Sequence, residues 1–171
     1  MKQLVVVRHA KAEASAPSDE ARALTARGHA DARRRGEQLA DFVTGTARAL
    51  VSPAVRTRET FDELNLALGL DADHVSYPKT LYDATAHRVL QEVRYLDEEP
   101  STVIVVGHNP AMGDLVWMLH DGTHNGAWKA YGDRGFPTSA AAVLTYDGEW
   151  FDIDPRTMRL EDYLAPPPKA R

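Results

Sequence analysis

Two apolar runs of this chain each lead to a histidine. Residues 4–7 are followed by Arg8 and His9, and residues 103–106 lead through one glycine to His108. Runs of branched apolar residues are typical of buried strands, and open α/β sheets bind ligands at the carboxyl ends of their strands. A histidine there can act as a nucleophile or base, and an arginine can bind two phosphoryl oxygens at once.

A second arginine falls at the start of a predicted helix. Ser52 is a suitable N-cap and Pro53 a suitable first helical residue, which places Arg56 in the first turn. Free backbone N–H groups at a helix N-terminus favour anions. The residues that together predict a phosphoryl-transfer site are Arg8, His9, Arg56 and His108.

The composition is that of one ordinary globular domain. The chain has 171 residues, of which 43% are hydrophobic and 26% charged, and its formal net charge is −5. The negative charge argues against a nucleic acid or an anionic membrane as partner. Absence of cysteine excludes disulfides and thiol nucleophiles. We predict a cytoplasmic protein, since no signal peptide or membrane span is evident, and we predict that Arg33, Arg34 and Arg35 form a solvated helix face.

Strand-like and helix-like segments alternate, which predicts an α/β fold. We expect a single-domain, three-layer α/β/α arrangement with a mostly parallel central sheet over residues 1–155, and a C-terminal tail over 156–171. Thr25 is a candidate N-cap and Gly69 a candidate helix stop.

Two predictions concern the C-terminal third. Residues 120–137 carry several glycines and are expected to be irregular or weakly helical. The segments 141–146 and 150–153 are expected to pair as a hairpin around Asp147-Gly148.

The motifs and their order closely resemble the histidine phosphatase superfamily, which has a phosphoglycerate-mutase-like fold. Within it, the short length and the segments 19–28 and 81–82 resemble the SixA-type branch of phosphohistidine phosphatases most. The matching motifs are Arg8-His9-Ala10, Ser52-Pro53 with Arg56-Thr57-Arg58-Glu59-Thr60, and Gly107-His108-Asn109-Pro110.

The resemblance implies a role for each candidate residue. His9 would be the nucleophile that is transiently phosphorylated, and Arg8, Arg56 and His108 would bind the phosphoryl oxygens. Arg22 matches an arginine beside the substrate, although a surface arginine paired with Asp19 or Glu20 is the alternative. No metal and no cofactor are implied.

The general acid is less well defined by the sequence. Larger members of the family supply a glutamate in mid-chain, where this chain has Asp83. Asp83 is therefore a candidate general acid, with helix capping as its alternative role.

We expect a metal-independent phosphatase that hydrolyses phosphohistidine in a partner protein. One alternative is a small-molecule phosphomonoesterase of the same fold, and another is a non-catalytic regulator that binds phosphoproteins. The sequence leaves the oligomeric state open.

Overall fold

A six-stranded sheet forms the centre of the computed structural model, which describes residues 1–97 and 100–169. The strand order is β3-β2-β4-β1-β5-β6; the first four strands are parallel, and β5 and β6 are antiparallel to their neighbours. The mostly parallel sheet is thereby confirmed. The strands are β1 (Lys2–Arg8), β2 (Ala47–Val51), β3 (Val75–Ser76), β4 (Thr102–Gly107), β5 (Ala141–Tyr146) and β6 (Arg159–Leu164).

Helices cover both faces of the sheet. Alternate side chains of β1 enter two different cores: Leu4 and Val6 pack on one face, Val5 and Val7 on the other. The first core is closed by α3, α4 and α5, and the second by α1 and α2. The three-layer arrangement is confirmed. The helices are α1 (Ala26–Leu39), α2 (Val55–Leu68), α3 (Ala86–Arg94), α4 (Ala111–Leu119) and α5 (Gly126–Arg134).

The predicted helix ends are partly confirmed. The Thr25 hydroxyl accepts a hydrogen bond from the Gly28 amide as the N-cap of α1, and Gly69 ends α2 in the left-handed region with φ 70°. The predicted start of α2 is wrong. The helix begins at Val55 with Ala54 as its cap, and the Ser52 hydroxyl is instead paired with a histidine of another loop.

The predicted hairpin is also wrong. Residues 150–152 form a short 3-10 turn, and β5 pairs instead with β6. The predicted tail of residues 156–171 therefore contains the edge strand of the sheet. The segment 120–137, predicted to be irregular, contains the nine-residue helix α5.

One of the three consecutive arginines of α1 is buried. Arg35 is 3% exposed, and its Nε donates to the Ser139 carbonyl at 2.8 Å. Burial lowers the Arg35 pKa to about 10. The prediction of a solvated arginine face is therefore correct for Arg33 and Arg34, which are exposed, but wrong for Arg35.

Helices α1 and α2 approach each other closely at Gly36. A Cβ atom on Gly36 would lie 2.7 Å from the Leu64 carbonyl oxygen and 2.8 Å from the Leu64 Cα. Both neighbours are backbone atoms, so they cannot move aside without shifting α2. No described helix is long and apolar enough to span a membrane.

We expect Gly36→Ala to lower the free energy of unfolding by about 1–3 kcal/mol, the usual range for overpacking a close contact. Gly132→Ala in α5 is the matched control, because a Cβ there meets nothing within 4 Å. The control should be neutral or stabilising by up to about 1 kcal/mol through helix propensity. Urea denaturation measures both, and equal effects would contradict the close-contact argument.

Candidate active site

His9, Ser52 and His108 lie at the same end of the sheet, because each follows the carboxyl end of one of three parallel strands. The His9 amide donates to the Gly107 carbonyl and the Ser52 amide to the Val106 carbonyl, each at 3.0 Å. These bonds continue the strand pairing past the ends of β1 and β2, and His108 follows the end of β4 directly. The imidazole rings of His9 and His108 lie 5.5 Å apart between centroids.

The His9 ring is fixed by its own backbone. Its Nδ1 lies 2.7 Å from the Ala10 carbonyl oxygen, and a carbonyl can only accept. Nδ1 therefore carries the proton of the neutral ring, and the lone pair is on Nε2. His9 is 8% exposed, so this nitrogen lies in a largely desolvated environment.

Arg8 is held through the loop before β5. Its Nη1 donates to the Phe136 carbonyl at 3.1 Å, and Asn109 Nδ2 donates to the same carbonyl at 2.8 Å. One carbonyl thus orients an arginine from the first motif and an asparagine from the third.

Arg56 is oriented by a residue of the polar loop between β1 and α1. Its Nη1 donates to the Asp19 backbone carbonyl at 2.8 Å and its Nη2 to Asp19 Oδ2 at 3.0 Å. The Tyr82 hydroxyl donates to the same carboxylate oxygen at 2.5 Å. The two hydrogen bonds to Asp19 set the plane of the Arg56 guanidinium.

Arg22 also contacts Asp19. Its Nε donates to Asp19 Oδ1 at 3.1 Å, and its Nη1 donates to the Glu13 carbonyl at 3.1 Å. Arg22 therefore pairs with Asp19, which also binds Arg56, and its place beside the substrate stays a prediction.

The His108 ring meets the hydroxyl of Ser52. His108 Nε2 and Ser52 Oγ are 2.7 Å apart. A hydroxyl that donates to Nε2 leaves the proton of the neutral His108 ring on Nδ1. Tyr82 packs edge-on against this ring, with the centroids 5.7 Å apart.

Two further residues of the second motif hold the polar loop. The Ala10 amide donates to the Thr60 hydroxyl and the Leu24 amide to Glu59 Oε1, both at 3.0 Å. Both ends of the loop that carries Asp19 and Arg22 are thus tied to α2, the helix that carries Arg56.

Several side-chain nitrogens in this cluster have no protein partner. Among the described residues, the buried side-chain nitrogens without a hydrogen bond are Arg8 Nε, Arg56 Nε and His108 Nδ1. Buried donors are rarely left unpaired. All three belong to residues that surround His9, so this arrangement is suited to binding the oxygens of an anion beside His9 Nε2. The described residues hold no group of three His, Asp or Glu side chains that could bind a metal ion.

Known proteins have sequences similar to that of this chain. Residues 4–77 match the sequence profile of the histidine phosphatase superfamily (branch 1). A phosphohistidine phosphatase SixA homolog from Haemophilus influenzae is 32% identical over 162 residues, covering 88% of this chain and 92% of that protein. The chain belongs to the SixA-type branch of the histidine phosphatase superfamily.

Solved structures agree with this assignment. A structure described as a candidate phosphohistidine phosphatase SixA from Nakamurella multipartitia is 31% identical, with a TM-score of 0.83 and 96% coverage of both chains. The protein histidine phosphatase SixA complexed with tungstate is 26% identical, with a TM-score of 0.77 over 95% of this chain and 96% of that one. The phosphoglycerate-mutase-like fold and a phosphatase activity follow for this SixA-type chain.

Burial and positive charge keep both site histidines neutral. Burial is the main reason that the His9 pKa falls to about 4, and Arg56, Arg8 and Arg22 lower it further against the Ala10 hydrogen bond. Burial likewise lowers the His108 pKa to about 3, with Arg56 next in importance. Nearby arginines are expected to disfavour a protonated nucleophile, but desolvation has the larger effect.

The carboxylate that reaches this cluster is Asp19, not the candidate acid Asp83. Asp83 is exposed in the turn before α3, and no hydrogen bond joins it to another described residue. The Tyr82 hydrogen bond and Arg56 lower the Asp19 pKa to about 2. Asp19 is therefore ionised at neutral pH and suited to orienting arginines, not to donating a proton.

Sequence reasoning missed three contributors. Ser52 was interpreted as a helix cap, Tyr82 only as part of a motif, and Asp19 only as a partner of Arg22. The spacing Asp19-x-x-Arg22 is the available signal, since a short turn with this spacing brings a carboxylate to a guanidinium.

We expect His9 to stay neutral in mildly acidic solution. Its folded-state pKa of about 4 lies below the ordinary 6.5, so at pH 5 about nine-tenths of the rings are neutral, whereas a free imidazole is about 97% protonated. The neutral, nucleophilic form of His9 is lost only as the pH falls through about 4. Ring ¹⁵N shifts in long-range HSQC spectra, assigned with His9→Gln, report the Nδ1–H tautomer and the midpoint. A midpoint near 6.5 would contradict the desolvation argument.

Proposed function

We propose that this SixA-type phosphatase hydrolyses phosphohistidine in a protein through a phosphorylated His9. The observation that carries the proposal is the set of unpartnered N–H groups on Arg8, Arg56 and His108 around a histidine whose Nε2 holds the lone pair. A phosphoryl group attacked by Nε2 would place its three remaining oxygens among these donors. The similar SixA structure is a complex with tungstate, which supports oxyanion binding by this type of protein.

In the first step, the lone pair of His9 Nε2 forms a bond to phosphorus. The bond between phosphorus and the substrate imidazole breaks, and its electron pair goes to the departing nitrogen. The other nitrogen of the substrate ring is protonated from solvent beforehand, so the ring leaves as neutral imidazole. The arginines balance the charge on the phosphoryl oxygens throughout a loose transition state. In this arrangement Arg22 adds positive charge through its position beside Asp19.

In the second step, water attacks the phosphorus of phosphorylated His9. The bond to Nε2 breaks and returns its electron pair to the ring, and inorganic phosphate leaves with the oxygen of the water. The Ala10 carbonyl keeps the Nδ1 proton in place during both steps, so the ring that is released is again the neutral tautomer.

The leaving group explains why phosphohistidine fits this site. A substrate ring that is protonated at its other nitrogen departs as neutral imidazole, whose conjugate acid has an ordinary pKa near 6.5, whereas an alkoxide must be protonated as it leaves. The groups of this cluster are cations, neutral histidines and an ionised Asp19. No acid with a pKa near neutrality is among them, which favours a substrate with a P–N bond over an alkyl phosphate.

The names of the similar proteins support the same substrate class. Two of the matched proteins are described as phosphohistidine phosphatase SixA or a homolog of it. The predicted cytoplasmic location stays a prediction.

We expect His9→Ala to abolish turnover while the fold is retained, because His9 contributes only to the rim of the sheet. Wild-type protein quenched during turnover should carry an acid-labile phosphate on His9. Arg8→Ala and Arg56→Ala should each lower kcat by about 10²- to 10³-fold, the range for removing one donor to transition-state charge. Phosphate release from a phosphohistidine protein, with circular dichroism as the folding control, provides the measurement. Turnover by His9→Ala at the wild-type rate would exclude the mechanism.

The role of Asp83 is tested by comparing two substrates. We expect Asp83→Asn to leave phosphohistidine hydrolysis within about twofold of wild type, since imidazole departs without a strong acid. If Asp83 is the general acid for alkyl phosphates, the same variant lowers kcat on unactivated alkyl phosphomonoesters by about 10²-fold. Equal large losses on both substrates would favour the phosphomonoesterase alternative.

A further inference from the structure

A groove lies near the backbone of His9, on the side of the loop before β5. Its cavity volume is about 620 Å³, and its walls include Lys11, Pro137 and Thr138. Lys11 lies two residues after His9, and the amide of Ser139 donates to the His9 carbonyl at 3.0 Å. The groove therefore uses the same two chain segments that leave the active site.

The groove is positively charged although the whole chain carries a net charge of −5. Both acidic side chains of its wall already have a cationic partner. Asp31 Oδ2 lies 3.6 Å from Arg27 Nε, and Asp133 Oδ2 lies 2.6 Å from Lys129 Nζ. Lys11 is exposed, and no ion pair or hydrogen bond of its ammonium group joins it to another described residue. The charged wall residues are Lys11, Arg27, Arg134 and Lys169 against Asp31 and Asp133.

The remaining wall is formed largely by prolines. Pro137 lies on one side, and Pro166, Pro167 and Pro168 lie on the other. Arg134 Nη2 donates to the Pro166 carbonyl and so fixes this segment against the end of α5. Proline offers carbon surface and no amide hydrogen, so the groove presents cations above an apolar wall.

We propose that this groove binds an acidic segment of the phosphoprotein substrate, next to the phosphohistidine. The proposal rests on the proposed function. A protein that places a phosphohistidine against His9 must lay its neighbouring surface on the walls that adjoin the site. The concave part of those walls is cationic, and charge complementarity of this kind selects partners and accelerates their association.

Two peptides and one small molecule test the proposal. One phosphohistidine peptide is flanked by aspartates and glutamates, and its counterpart has asparagines and glutamines at the same positions. N-phosphorylated imidazole reports the chemistry alone. We expect wild type to prefer the acidic peptide in kcat/KM on the order of tenfold, and to lose much of this preference as salt is added.

The double variant Lys11→Glu/Arg27→Glu should remove the preference while leaving phosphoimidazole hydrolysis within about twofold of wild type, since neither side chain touches the phosphoryl site. Arg159→Glu is the matched control. Arg159 is exposed on β6. It pairs with Thr145 of β5, which pairs with Gln3 at the start of β1, so Arg159 lies at the end of the sheet away from the active site. This control should keep the wild-type preference.

Several outcomes would overturn the proposal. Equal kcat/KM values of wild type for the two peptides would do so, as would an equal loss of preference in Arg159→Glu. The salt series on wild type decides the question even if the double variant does not fold. Failure of wild type to hydrolyse any of the three phosphoramidates would instead exclude the proposed function, so the two failures are distinguishable.

Discussion

Two backbone hydrogen bonds beyond the strand ends hold the chemistry of this protein together. The His9 amide is bonded to the Gly107 carbonyl and the Ser52 amide to the Val106 carbonyl, so β1 and β2 remain in register with β4 one residue past the sheet. Residues far apart in sequence thereby become rigid neighbours at one edge. Catalytic groups on such extensions inherit the stiffness of the sheet instead of the mobility of free loops. The spacing of the two imidazole rings is a property of strand pairing.

The second requirement is that buried cations stay oriented without being neutralised. Each site arginine is fixed through its Nη atoms, Arg8 by a carbonyl and Arg56 by both a carbonyl and a carboxylate, while Nε remains unpaired. Desolvation of these groups is unfavourable, and an anion that takes up the free donors offsets part of its cost. The main-chain carbonyls orient the guanidinium groups yet leave most of their positive charge available. Asp19 compensates part of it through the loop that also carries Arg22.

The sequence was informative where a local pattern has a single physical cause. The branched apolar runs of β1 and β4 are typical of buried strands, and the positions of Arg8, His9 and His108 follow from them. Ser52 could not be assigned in this way, since a serine before a proline is equally suited to cap a helix or to meet a distant histidine. Only the pairing of β2 with β4 decides between these roles.

The C-terminal strand was hidden for a different reason. A bulge between Val143 and Leu144 shifts the register of β6, so that Leu160 and Tyr163 are buried three residues apart. The period of two that identifies a strand is thereby broken. The Asp147-Gly148 turn signal then suggested a hairpin partner that is too near in sequence. Sequence alone is also insufficient at the active site. Asp83 and Asp19 are both polar loop residues, and only the fold shows that Asp19 is the one that binds Arg56.

The antiparallel course of the last two strands separates the two ends of the domain. Lys2 begins β1 at the end of the sheet away from the site. Leu164, in the last strand, pairs with Ala141, and Ala141 pairs with Val7, which lies beside the catalytic motif. A protein module fused before β1 would thus be tethered away from the active site. One fused after β6 would be tethered beside it, where a short linker produces a high effective concentration. The placement of a fusion partner thus determines whether it is presented to this phosphatase as an intramolecular substrate.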